Sequence, residues 1–586
     1  MWLVQRLPQA GSRIAWPKHL ARWLPALPAL LFLAVFFIVP VVEILQGGLY
    51  DGDGVLSVAQ FARMTHSAVY VKVLASTFWI AFLTAALSVA LGYPVAYLLA
   101  RLSARSRERW LLWIVLPFWT SYLVKTYAWM LLLSKTGLLT IVATHLGLID
   151  SASTLAPSLT GVLIGMAHAM LPLAVMTMLP IMRGINMQLV QAAQTLGADR
   201  ATGFFTVFLP LSGAGAAAAG LLVFISSLGF FIVPALLGSP RESMVAQLVI
   251  SSVLDLFDLR FAGALSTVLL LCSIVVFYVY DRVVGLSSLA GEAPERRAGS
   301  GGRMLPALIA IGRLAGKVSL SRGRERAEGA GGSFGLKAYT WVVVLALVLP
   351  IAFVVPLAFT KQSFVAFPPE LFTMKWFVAF LESSVWQAAL LRSLGVGLAT
   401  AALALVLGFG ASLALVRLPS RWRKPLFAMF IAPLIVPRIV VAVGLLYLFA
   451  RWELAGTNAG LVIGHTVLAI PYVVVTLSAS FKRFDWRLDD AAKMLGASAL
   501  TRVRTVLLPL MAASLGSAFL FAFIVSFDDL TIAIFVSGGI NTTLPKQMWD
   551  DIQLAVTPTL AAVATSLVFL MVFIVWLSSI FKRKSY

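Results

Sequence analysis

The sequence predicts an all-α integral membrane protein: twelve transmembrane helices built as two parallel six-helix repeats. Three observations carry this. Hydrophobic residues make up 60% of the 586-residue chain and charged residues only 12%, with a mean hydropathy of +0.95, a balance that would leave a water-soluble domain with a large exposed apolar surface. The apolar runs reach the length of about twenty residues that a membrane-spanning helix needs. Finally, QAAQTLGADRATGFFTVFLPL at 191–211 recurs as DAAKMLGASALTRVRTVLLPL at 490–510, 299 residues later.

In chain order the apolar runs lie near 24–46, 74–99, 111–133, 159–182, 209–236 and 259–280, then near 339–360, 388–415, 425–450, 460–481, 508–536 and 559–581. The alternating strands of a membrane β-barrel are not seen. A basic start precedes the first run, but that run contains Pro40 and Glu43 and shows no small-residue cleavage site, so it is expected to persist as an uncleaved first helix. Between the halves, GEAPERRAGSGGR and SRGRERAEGAGGSFG are too polar and glycine-rich to pack. The expected division is therefore a first repeat at 1–284, a flexible cytoplasmic linker at 285–337 and a second repeat at 338–586. Within the linker, MLPALIAIGRLAG at 304–316 is too short to span and is expected to tether or to lie along the membrane surface.

The duplication extends beyond the opening stretch. Gly165 and Pro172 match Gly464 and Pro471 at an offset of 299, whereas Gly92, Arg101 and Pro117 match Gly408, Arg417 and Pro433 at 316. The change of register places 17 extra residues in the outer loop after the third helix of the first half, where insertions are tolerated.

The formal net charge of +21 is confined largely to loops and termini. Arg101, Arg105, Arg107 and Arg109 follow the second run, and Arg417, Arg421, Arg423 and Lys424 follow its repeat. By the positive-inside rule both termini and every even-numbered connection face the cytoplasm, which argues for a membrane rather than a nucleic-acid partner. The lone Cys272 sits in an apolar run and excludes a disulfide framework. No G-x-x-x-x-G-K-[ST] phosphate loop, metal-spaced His/Cys set or nucleophile with its base is present. The chain is expected to be neither an enzyme nor a holder of a cofactor or metal, and His168 and His465 are expected to pack or hydrogen-bond.

The repeated stretch reads as a short helix, a glycine break, a second short helix and a Leu-Pro entry into the next membrane helix. A short hairpin tied to a membrane helix is a lever. Its pattern resembles E-A-A-x3-G-x9-I-x-L-P, the mark of the inner-membrane permease subunits of binding-protein-dependent ABC importers. The first copy supplies Gln191, Ala192, Ala193, Gly197, Val207 and Leu209-Pro210; the second supplies Asp490, Ala491, Ala492, Gly496, Val506 and Leu508-Pro509. The resemblance implies a type I ABC importer transmembrane fold in a bacterial inner membrane. It also implies that the two loops dock into two cytoplasmic ATPase subunits, which bind the ATP, below a periplasmic solute-binding protein. Gln191 departs from the pattern by lacking a carboxylate, whereas Asp490 keeps one for a salt bridge. LPFWTSYLVKTYAW at 116–129 resembles the first permease of polyamine-type importers, and SFVAFPPELFTMKWFVAFLESSVW at 363–386 and SFDDLTIAIFVSGGINTTLP at 526–545 resemble the second, so the chain looks like both fused.

Charges inside membrane helices are costly and mark function by default. Asp528 and Asp529, about 20 residues into the eleventh run, are expected either to receive an amine or to cap the helix end and pair with Arg438 or Lys125. Their counterparts at 299 are Gly229 and Phe230. Lys125 and Arg438 would repel a polycation unless neutralised, leaving a polyamine, a zwitterion and an anionic or iron-type solute as alternatives. Snorkelling to the outer interface is the structural alternative for Lys125 and Glu43. The rival class is the major facilitator transporter, also twelve helices in two halves. It would show G-x-x-x-D-[RK]-x-G-[RK]-[RK] after the second helix, where this chain reads RLSARSRERW.

Overall fold

The computed structural model describes residues 22–50, 55–147, 149–150, 154–283, 334–365, 367–369, 372–539 and 541–583. The proposed surface segment 304–316, the linker up to residue 333 and the basic residues Arg6, Arg13, Lys18 and Lys584 lie outside them. Apart from isolated bridges, the regular structure of the described residues is helical. The first half contains α1 (Leu27–Leu49), α2 (Ala59–His66), α3 (Ala68–Arg101), α4 (Ala104–Trp119), α5 (Tyr122–Leu133), α6 (Leu138–His145), α7 (Leu159–Gly184), α8 (Gln188–Thr195), α9 (Arg200–Leu228), α10 (Ile232–Leu237), α11 (Val245–Leu254) and α12 (Leu259–Val283). The second contains α13 (Phe334–Leu357), α14 (Lys375–Glu382), α15 (Ser384–Arg417), α16 (Ser420–Ile435), α17 (Arg438–Arg451), α18 (Asn458–Arg483), α19 (Arg487–Met494), α20 (Ala499–Leu510), α21 (Ala512–Phe527), α22 (Thr531–Val536), α23 (Leu544–Leu554) and α24 (Pro558–Arg583).

Element lengths follow the sequence offsets. The pair α3 and α15 are both 34 residues and start 316 apart, and α7 and α18 are both 26 residues and start 299 apart. The 17 extra residues of the first half build α6, which has no counterpart between α17 and α18. Among the described residues nine helices are long and apolar enough to cross a bilayer, and two bent pairs raise the number to eleven. The last apolar run falls in α24.

Four expected continuous helices are broken: the runs at 209–236 and 508–536 stop at Leu228 and Phe527 and restart at Ile232 and Thr531, and two further breaks correct the runs at 111–133 and 425–450. The first divides into α4 and α5 at Thr120–Ser121, and the second into α16 and α17, bent by 91°. The cause in the second half is local: Val436 precedes Pro437 and is pushed to the extended region, φ −72 and ψ 128. In the first, Ser121 restarts the helix by accepting the Leu123 N–H on its hydroxyl at 3.2 Å.

Proline also sets the helix bulges. Five-residue π segments at Ala34–Ile38, Phe204–Phe208 and Val503–Leu507 each run directly into an X-Pro pair, Val39-Pro40, Leu209-Pro210 and Leu508-Pro509. A proline ring collides with the carbonyl four residues earlier, and widening that turn relieves the clash.

The halves interlock by exchanging first helices. Helix α1 bridges the seam: its C-terminal part packs on α12 of its own half, where a Cβ at Gly48 would lie 2.6 Å from the Ala264 nitrogen. It also lies on α15 and α17, where Phe36 meets Phe449 and Trp452, and Glu43 accepts from Arg451 at 2.9 Å. Glu43 is thus held by an arginine rather than snorkelling. Reciprocally, α13 lies on the first half: Tyr339 donates to the Leu91 carbonyl at 2.9 Å and the Trp341 ring packs on Trp110, tilted by 55° with centroids 4.8 Å apart. Backbone meets backbone twice along the α1 contact: a Cβ at Gly410 would overlap the Pro25 carbonyl oxygen, and one at Gly444 would lie 2.7 Å from the Pro40 carbonyl oxygen.

Backbone contact, not the ion pair, should therefore hold the exchange. Gly444→Val forces an overpacking cost of at least about 1–3 kcal/mol, whereas the exposed Glu43–Arg451 pair is worth about 0–1 kcal/mol. In thermal unfolding of the detergent-solubilised chain, Gly444→Val is expected to lower the midpoint by several degrees and Arg451→Ala by little.

Candidate functional site

Two constellations carry chemistry. The first is the repeated loop. In each half an eight-residue helix, α8 or α19, ends two residues before a glycine with positive φ, +92° at Gly197 and +82° at Gly496. The Ala198 N–H donates to the Ala193 carbonyl at 3.0 Å and the Ala497 N–H to Ala492 at 3.0 Å, the six-to-one closure that ends a helix on a left-handed glycine. Nothing lies within 4 Å of a Cβ at either glycine. Backbone conformation, rather than close packing within the chain, requires glycine there. Asp199 then caps the next helix by accepting the Thr202 N–H at 2.8 Å, and Ser498 does the same for Thr501 at 3.2 Å.

The tips face outward. Leu196 is 89% exposed, Met494 90% and Leu495 88%. Gln191, Ala192, Asp490 and Ala491 are exposed, and Ala193 and Ala492 half-buried, so the two copies present the same face.

Their roots differ. Asp490 is exposed, and an ion pair within the chain is made by its neighbour: Asp489, buried, accepts from Arg502 Nε at 3.0 Å and from Arg417 Nη2 at 3.4 Å. One residue along a helix turns the side chain by about 100°, which points Asp489 inward and Asp490 out. Arg417 also lies over the Trp486 ring, 5.5 Å from its centroid. In the first half the same positions are Val190 and Gly203, which touch each other, while Arg101 donates to the Tyr97 hydroxyl at 2.9 Å. One lever is rooted by an ionic clamp, the other by apolar contact. The missed signal was the pairing of Asp489 with Arg502 across the glycine turn, absent from the first copy.

The second constellation sits where four helix breaks meet at the seam between the halves: Ser121-Tyr122, Gly229-Phe230, Pro437-Arg438 and Asp528-Asp529. A Cβ at Gly229 would lie 3.1 Å from Pro437 Cβ; at the symmetry-related position Asp528 faces Ser121 and the Tyr122 peptide, with Lys125 and Arg438 as its neighbouring cations. Within the first half Tyr122 meets Phe230 edge-on at 5.2 Å. The same positions of the second half hold Arg438 and Asp529, a charged pair in place of an aromatic one.

Asp529 is 2% exposed; one carboxylate oxygen accepts the Ile532 N–H at 2.8 Å, capping α22, and lies 3.6 Å from His465 Nε2, whose Nδ1 is 2.7 Å from Ser526 Oγ. Arg438 donates to the Tyr472 hydroxyl at 3.4 Å. Lys125 is also 2% exposed, which overturns snorkelling: its ammonium donates to the Pro117 carbonyl at 3.1 Å and sits 4.2 Å above the Tyr122 ring. Asp528 Oδ1 and Asp529 Oδ1 are buried without a hydrogen-bond partner. The aspartates thus occupy a break between α21 and α22 rather than a continuous eleventh helix, because α20 and α21 already bend by 80° and α21 stops at Phe527. His168, away from the node, donates from Nε2 to the Leu347 carbonyl at 3.0 Å.

Residues 404–586 match the family of binding-protein-dependent transport system inner membrane components. The chain is 32% identical over 248 residues to the spermidine/putrescine transport system permease protein PotC of Haemophilus influenzae, covering 96% of that protein and 42% of this chain. It is 31% identical over 198 residues to the putrescine permease PotI of Escherichia coli, covering 70% of that protein and 33% of this chain. It is also 27% identical over 228 residues to PotB of Salmonella typhimurium, covering 79% of that protein and 39% of this chain. A solved alginate ABC transporter in complex with an alginate-bound periplasmic protein aligns over 46% of this chain and 96% of its own, with TM-score 0.38 and 16% identity.

The clamp has a direct readout. Breaking a largely buried ion pair leaves an uncompensated charge and costs about 3 kcal/mol, so Asp489→Asn should speed amide hydrogen exchange across 488–502 at least tenfold. Asp490→Asn should leave the exchange at the wild-type rate.

Proposed function

Because the chain belongs to the binding-protein-dependent transport system inner membrane components, as its match to PotC establishes, we propose that it is the complete transmembrane permease of an ATP-driven importer. It moves a small polar organic solute, a polyamine or a related amine or zwitterion, from periplasm to cytoplasm. Twelve spans in two parallel six-helix repeats form the pathway, with both termini in the cytoplasm. Two ATPase subunits bind and hydrolyse ATP and grip the loops around Gln191, Ala192, Ala193 and Gly197 and around Asp490, Ala491, Ala492 and Gly496. A solute-binding protein delivers cargo from the periplasmic side, and the chain itself needs no cofactor and catalyses no reaction.

The observation that supports this reading best is the pair of loops with the same glycine turn and the same exposed apolar tip, 299 residues apart. Each is continuous with a membrane helix through a π segment and a Leu-Pro pair, so a push on the tip is delivered to α9 or to α20 and α21. Closure of the partner subunits would select one packing of the halves and opening the other. Lys125, Arg438, Asp528 and Asp529 then line the point at which the halves part.

Gly197→Val and Gly496→Val place a β-branched residue at positive φ, at a cost of about 1–2 kcal/mol or more each, and so displace the tip. ATP-dependent uptake by cells or proteoliposomes should fall more than tenfold for either variant, while the solute-binding protein keeps its affinity for cargo. Wild-type uptake in both variants, or transport by wild type that survives ATP depletion, contradicts the reading.

A further inference from the structure

The buried node is asymmetric in charge, and the asymmetry follows the seam. On the first-half wall stand Ser121, Tyr122, Gly229 and Phe230 with one ionised group, Lys125. On the second-half wall stand Asp528, Asp529 and Arg438, with His465 shared between Ser526 and Asp529. With the imidazole counted as uncharged, that wall carries two carboxylates against one guanidinium, a net charge of −1 facing +1. In this structure the two walls neutralise each other across the seam. Within the second half, Asp529 keeps Arg438 and His465 however the halves move, because all three belong to the same half. The electrostatic attraction between Lys125 and Asp528 crosses the seam and weakens as the halves separate.

We propose that the node is a cargo site for a zwitterion, in which Asp528 receives an ammonium group and Lys125 an anionic group of the same molecule. The proposal rests on the permease reading and specifies the cargo class. Parting the halves leaves a single uncompensated charge on each wall, and a buried charge is tolerated only when paired and hydrogen-bonded. A dication satisfies Asp528 but faces Lys125 with like charge. A simple anion does the reverse. A zwitterion restores on both walls what the closed node provides.

Hydrogen-bonding capacity points the same way. An ammonium has three donors, and Lys125 spends one on Pro117. Asp528 Oδ1 is buried with no donor. Both groups hold spare capacity at the seam, one for an acceptor and one for a donor. At the related positions of the first half, Gly229 and Phe230 replace the acids, and Val441 replaces Lys125 in the second, so the site exists once per chain and binds its cargo in one orientation.

The test uses the full-length chain in lipid nanodiscs and ligands matched in length: β-alanine against 1,3-diaminopropane and propionate, and 4-aminobutyrate against putrescine and butyrate. Binding is followed by saturation-transfer NMR. The ω-amino acid of at least one set is expected to bind at least tenfold more tightly than its diamine and its monocarboxylate. Lys125→Met should erase the advantage over the diamine, Asp528→Asn the advantage over the monocarboxylate, and Lys125→Arg should keep both, which separates lost charge from a misfolded node. Diamines that bind wild type as well as the amino acids do, a preference that Lys125→Met leaves unchanged, or no binding by any ligand overturns the proposal. ATP-dependent uptake of every ligand measured in parallel distinguishes the two levels: uptake of a diamine or a monocarboxylate in place of the amino acids overturns the cargo class alone, whereas uptake that survives ATP depletion overturns the transport reading.

Discussion

A helix can be interrupted inside a bilayer only where the freed peptide groups find partners within the protein, since lipid offers none and each orphan costs several kcal/mol. That constraint organises this molecule. The interruption at Thr120–Ser121 is answered by the Ser121 hydroxyl, and the one after Phe527 by the Asp529 carboxylate, which takes the Ile532 N–H. Capping demands polar side chains, and polar side chains in turn demand neighbours. The Asp529 charge at the seam is thus a consequence of breaking the helix there.

The duplicated plan and its departures have separate roles. Paired lengths, paired π segments and paired glycine turns give the halves the same backbone plan. The departures are concentrated at two places, the node and the root of the second lever, and in both the second half carries the charge: Asp528, Asp529 and Arg438 at the node, Asp489 and Arg502 at the lever. An ionic root is stiffer than the contact of Val190 with Gly203, so equal pushes on the two levers need not produce equal motions.

Much of this was legible in the sequence. Twenty-residue apolar runs, the 299 and 316 offsets and the extra residues of the first half translate directly into helix lengths and into α6, because the bilayer imposes length and duplication preserves it. The helix breaks were less legible. Pro117 and Pro433 looked like ordinary prolines within apolar runs, and hydropathy has no term for a helix that turns while staying apolar. Asp489 was overlooked because the resemblance drew attention to Asp490, one residue and about 100° away on the same helix. Lys125 was read as a candidate for the interface because a long side chain usually escapes burial; only the fold shows the Pro117 carbonyl and the Tyr122 ring that hold it.

The exchange of first helices has a consequence for biosynthesis. Glu43 and its partner Arg451 are separated by 408 residues, and ribosomes add about 5–20 residues per second, so the face of α1 that rests on α17 waits roughly 20–80 s for its partner, long after α12 has been made for the other face. During that interval it has to avoid aggregation or a wrong docking, shielded by lipid or by the insertion machinery. One face of α1 thus has its address written 408 residues further along the chain.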